Sequence, residues 1–106
     1  MPKIPEQYKY IQKSFKEFHK AVQKLGKAAR EAGPIDAKTS HLIQLAAASA
    51  IRSEGSVHSH TRRALEAGAT PDEIRHAIIL LASTIGFPTI SAALSWAEEI
   101  IEKERK

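Results

Sequence analysis

Cysteine is missing from all 106 residues. That absence excludes disulfides, thiolate metal sites and every mechanism needing a sulfur nucleophile, and with them a disulfide-stapled secreted scaffold. Also missing is any apolar run long enough to span a bilayer. The opening M-P-K-I-P-E-Q has no hydrophobic signal-peptide core, so a soluble, cytoplasmic protein with no membrane partner is expected. No nucleic-acid-binding motif accompanies the net charge of +4. The bases are unevenly placed: residues 1–33 hold eight Lys or Arg against three acids, and residues 34–106 hold eight against nine. Those in the first part are mostly lysines on one side of a helical pattern, which reads as a solvated helix face with no nucleic-acid partner.

Nothing reads as a strand. Helical periodicity runs throughout, and the length suits one domain near the small end for an insulated core. A first helix is expected over about 6–32, from Glu6 to Ala32. Tyr8, Ile11, Phe15, Phe18, Val22, Leu25 and Ala29 recur at steps of three and four, the seam of a helix lying along a partner. Lys9, Lys13, Lys16, Lys20, Lys24 and Lys27 follow the next row, where their stems can cover the margin of that seam. His19, between Phe18 and Lys20, is expected on the outer, solvated side. Gly33-Pro34 ends the helix.

A second helix should start at the N-cap Asp36 and run through Ile51. Leu42, Ile43, Leu45, Ala46, Ala47, Ala48, Ala50 and Ile51 leave it almost no polar face, which predicts burial on all sides. His41 and Gln44 are its polar exceptions. The third helix, from about Ser53 to Gly68, holds Ser53, Ser56 and His60 on one face at steps of three and four. His60 then points inward, where an imidazole must find a partner. His58 lies about 200° away round the helix and faces elsewhere. Gly68 is a C-terminal glycine.

T-P-D-E then makes Thr70 an N-cap, Pro71 the first helical residue and Glu73 the partner in a capping box. This fourth helix carries Ile74, Ala77, Ile78, Leu81, Ala82 and Ile85 as its stripe, with Ile79 and Leu80 as a second apolar face, and G-F-P breaks it. The last helix, from about Pro88 to Glu104, turns Ile90, Ala93, Leu94, Ala97 and Ile101 inward, with Trp96 on a neighbouring core or interface face. His76 is placed beside the fourth stripe as an interface residue. Five helices with short connections define an all-α bundle. Two of them carry more apolar surface than a monomer of this length can cover, which predicts an obligate homo-oligomer.

The stretch from Ile35 to Glu99 resembles the carboxymuconolactone decarboxylase family, which includes the alkylhydroperoxidase D-like proteins. H-T-R-R-A-L-E-A-G-A-T-P-D-E-I carries most of the resemblance, and I-G-F-P continues it. The resemblance implies an all-helical fold and a homo-oligomer, with a trimer or hexamer expected. The peroxidase branch of that family carries C-x-x-C-x-x-x-H with a glutamate on the preceding helix. Laid on this chain, its cysteines fall on Ser53 and Ser56, its histidine on His60 and its glutamate on His41. Serine hydroxyls cannot form the disulfide that this chemistry needs, so thiol peroxidase activity is not expected.

The decarboxylase branch removes carbon dioxide from a small unsaturated lactone acid. By that resemblance Arg52, Arg62 and Arg63 are candidates to hold carboxylates, with Arg52 and Arg63 taken as the substrate-binding pair. His60 is the candidate proton donor. Three readings follow. The first is histidine-based acid–base chemistry on a small anionic molecule, with His60 and His41 moving protons and Ser53 or Ser56 orienting. The second is a metal or small-ligand site at His41, Ser56 and His60, with Glu54 or His58 added by a partner subunit. No H-x-x-H, H-x-x-x-H or H-E-x-x-H pattern supports it, and no metal or other cofactor is expected. The third is a non-catalytic oligomeric scaffold. A serine nucleophile is set aside, because G-x-S-x-G and an orienting acid are lacking.

Overall fold

The computed structural model describes residues 5–104, and these are helical with no strand. Residues 1–4, on which part of the N-terminal reading rests, lie outside the described residues. The chain divides into two compact units, Met1–Ile35 and Asp36–Lys106.

In the first unit the single expected helix is two: α1, Glu6–Ser14, and α2, Lys16–Glu31. Phe15 leaves helical geometry between them, at φ −132° and ψ 62°. The break has a physical reason in Tyr8 and His19. Eleven residues on a straight helix would separate them by about 16 Å along the axis. Here the Tyr8 hydroxyl lies 2.7 Å from His19 Nε2, and the two rings meet edge to face. His19 is therefore buried and partnered, which corrects the expectation that it is solvated. Phe15, Phe18, Val22 and Leu25 keep large exposed surfaces, so the apolar seam is present but not covered by its own unit.

The second unit holds α3 (Ala37–Ala50), α4 (Glu54–Glu66), α5 (Pro71–Ile79), the single turn α6 (Ala82–Ile85) and α7 (Phe87–Glu104). α4 packs on both α3 and α7, and α5 packs on the same two helices. Leu45, Val57, Ala64, Ile74, Ile78, Ile90, Ala93, Ala97 and Ile101 form the core, with Leu42, Leu65, Leu81, Ile85, Leu94 and Trp96 packed against it. Small alanines where α4 meets α7 let the backbones come close. α3 is not buried all round: His41, Leu45, Ala48 and Ser49 face inward, while Ile43 and Ile51 are open. An alanine-rich pattern cannot tell a face covered by its own chain from one left for another.

Helix ends follow local chemistry. Thr39 N–H donates to Asp36 Oδ1 at 2.8 Å, starting α3. At α5, Glu73 N–H donates to Thr70 Oγ1 and Thr70 N–H donates to Glu73 Oε1, the reciprocal capping box read from T-P-D-E. The expected fourth helix stops at Ile79 and resumes as α6. Leu81 N–H donates to Ile78 O across only three residues, a tightened turn between the two.

α3 and α4 end alike. Ser53 N–H reaches back to Ala48 O, and Arg52 N–H to Ser49 O; Ala69 N–H reaches Ala64 O, and Gly68 N–H reaches Leu65 O. Both are Schellman closures with a left-handed residue after the last helical turn. Gly68 fills that position in one at φ 102°, and Arg52 fills it in the other at φ 56°.

Candidate functional site

α3 and α4 run beside one another, and the histidine of each meets the other. His41 Nδ1 and His60 Nδ1 are 3.4 Å apart, with ring centroids 5.6 Å apart and planes tilted by 34°. His41 is buried and His60 half-buried. The Asp36 cap sets where α3 begins, and so the height of His41 against α4. Hydrogen bonds from Thr39 hold the Asp36 carboxyl below the usual carboxylate range. Two facing Nδ1 atoms at this separation suit one shared proton, with one ring offering N–H and the other a lone pair.

Ser56 sits one turn before His60 on α4 and is half-buried. Ser53 has a different duty: its hydroxyl accepts from Ser56 N–H at a long 3.4 Å and caps α4. Two further polar atoms stand close in sequence to the histidines. Gln44 Oε1, three residues after His41, and Thr61 Oγ1, beside His60, are both buried without a hydrogen-bond partner among the described residues. Neither was singled out as a site residue from sequence, although Gln44 stood out as a polar exception on its helix. Ser49 is also fully buried, and its hydroxyl donates to Leu45 O.

The two arginines do not converge. Arg52, in the left-handed turn before α4, is exposed and donates to Thr89 Oγ1 on α7 at 3.0 Å. Arg63 lies near the other end of α4, roughly 16 Å further along the axis and one turn from His60. It is half-buried and makes no ion pair among the described residues. Of the two, Arg63 is the closer in helical register to the histidine pair.

His58 faces away from His60, as the helical spacing requires, and its Nε2 lies 2.8 Å from Glu99 Oε1 on α7. His76 is exposed and Trp96 half-buried against the core. Elsewhere in this unit Arg75 makes two bonds to Glu98 and one to Asp72, which raise its already high pKa, and Lys38 pairs with Glu73.

The second unit is thus all-helical, with a histidine pair bridging two adjacent helices. The chain belongs to the carboxymuconolactone decarboxylase family, whose pattern matches residues 16–99. The match takes in α2 to α6 and α7 as far as Glu99, a longer reach than the sequence resemblance over 35–99. No curated protein matches the chain. No helix among the described residues is long and apolar enough to cross a membrane.

Proposed function

We propose that the protein is a cytoplasmic, non-thiol acid–base catalyst of the decarboxylase or lyase kind, acting on a small anionic organic molecule in a homo-oligomer. The observation that carries this reading is the 3.4 Å approach of His41 to His60. Two imidazoles in contact can hold one proton between them far more easily than two, because a second positive charge at that distance is strongly disfavoured. Such a pair gives a proton from one ring and regains it through the other.

In a decarboxylation the bond from carbon to the carboxylate breaks, carbon dioxide leaves, and the electron pair remains on the substrate as an enolate. His60 then delivers a proton to the carbon, and His41 restores it. Ser56, one turn away, orients the substrate through its hydroxyl, and Arg63 is the better placed cation for a carboxylate. Ser53 supports the reaction by fixing the start of α4. The chain has no cysteine, so peroxide reduction through a thiolate is not available to it.

The test is a screen of small unsaturated lactone acids for release of carbon dioxide and for solvent deuterium incorporation at the product carbon. His60→Gln and His41→Gln are each expected to lower turnover by at least about a hundredfold, the usual scale of general acid–base catalysis. Turnover unchanged in His60→Gln would remove the reading. The burial of His41 favours a second one, a scaffold in which the pair only packs α3 on α4. A protein that turns over nothing, yet loses stability in both variants, would support it.

A further inference from the structure

We propose that Glu54, His58 and Glu99 form a binding site for a divalent first-row transition-metal ion, on the flank of α4 opposite the histidine pair. One ligand atom from each of the three lies within 4.8 Å of the others. Glu54 and His58 are one turn apart on α4, and Glu99 comes from α7. The helices that carry them are held together by buried Val57 and Ala64 on one side and Ala93 and Ala97 on the other, so the donors stand on rigid elements.

Imidazole with two carboxylates is a donor set that suits zinc and its neighbours. Bond lengths near 2.0–2.2 Å place neighbouring ligand atoms roughly 3.3 Å apart around a tetrahedral ion. The 2.8 Å between His58 Nε2 and Glu99 Oε1 therefore opens slightly, and the widest gap closes by a rotamer adjustment of an exposed glutamate.

Charge supplies the second argument. Two carboxylates converge here, yet no lysine or arginine pairs with Glu54 or Glu99 among the described residues. Arg75 and Lys38, two cations of this unit, are held by other carboxylates, Arg75 by Glu98 and Asp72, and Lys38 by Glu73. Two carboxylate oxygens and an imidazole nitrogen together offer a divalent ion both charge and lone pairs. Glu99 is 56% exposed, so the ion keeps water in its remaining positions.

The test is calorimetric titration of the tag-free, chelator-treated protein with Zn²⁺, and absorption spectroscopy with Co²⁺. One ion per chain is expected. His58→Ala should abolish binding, and Glu54→Gln and Glu99→Gln should each weaken it at least tenfold. His60→Gln should bind as the wild type does, separating this site from the histidine pair. Glu54 and Glu99 are exposed and His58 and His60 half-buried, and circular dichroism checks that each variant is folded. No binding by the wild type, His58→Ala binding as tightly as the wild type, or binding lost in His60→Gln alone would each overturn the proposal; the last would place the ion between His41 and His60.

Discussion

Arg52 occupies a backbone position that favours glycine. At φ 56° its Cβ crowds the following carbonyl, a cost of about 1–2 kcal/mol for a residue with a side chain. The equivalent closure of α4 uses Gly68 and avoids that cost. What Arg52 gains in return is a hydrogen bond to Thr89, exposed and worth at most about 1 kcal/mol. The two nearly cancel. Arg52→Gly is expected to leave the urea midpoint within the equivalent of about 1 kcal/mol of wild type. Gly68→Ala should lower stability by roughly 1 kcal/mol. If Arg52→Gly also leaves turnover unchanged, the guanidinium has no part in binding substrate, and Arg63 stands as the remaining candidate of the pair. A loss well beyond about 2 kcal/mol would mean that the tie to α7 holds the helices together.

Capping decides where the helices begin, and through them where the histidines stand. Glu73 closes the box with Thr70 and also holds Lys38 of α3, so one carboxylate ties the starts of two helices. Bonds from the Thr70 backbone and then from Lys38 keep its carboxyl below the usual range. A depressed folded-state pKa contributes stability that is present above the unfolded value, about 4.3 for a glutamate, and is lost as pH falls through the lower folded value. Asp36 acts in the same direction. The stability these two carboxylates contribute is therefore expected to be lost as pH falls, and urea midpoints to decline below about pH 4. Glu73→Gln should start lower and decline less steeply. An acid limb of unchanged slope in that variant would mean that other carboxylates set it.

These capping signals are also where the sequence was most legible, because a cap depends on three or four adjacent residues. Thr70, Glu73, Asp36 and Gly68 could be read directly, and so could the divergence of His58 from His60. The break at Phe15 could not, since it follows from Tyr8 meeting His19 and not from a local helix breaker. Nor could the pairing of His58 with Glu99, 41 residues apart, which exists only because α4 packs on α7. The meeting of His41 with His60 lay between these cases: each was marked, one by facing inward and the other by resemblance, but their distance depended on the packing of two helices.

For the whole molecule, the question is what covers its apolar surface. Ile43, Ile51, Ile79, Leu80 and Phe87 are all more than half exposed in the second unit, and Phe15, Phe18 and Leu25 in the first. Scattered single residues of this kind need no explanation, but Ile79 and Leu80 are adjacent at the end of α5, and Phe18 and Leu25 recur at helical spacing on α2. We expect light scattering to give a mass of three or six times the 11.7 kDa chain. Ile79→Lys with Leu80→Lys, or Phe18→Ser with Leu25→Ser, should shift that mass downward and expose the chain to aggregation. Because association stabilises a folded chain by mass action, the thermal midpoint should rise with protein concentration in the wild type and lose that dependence in the dissociated variants. A monodisperse 11.7 kDa species with a concentration-independent midpoint would show that the chain stands alone. The histidine pair would then have to work, or merely pack, within a single copy.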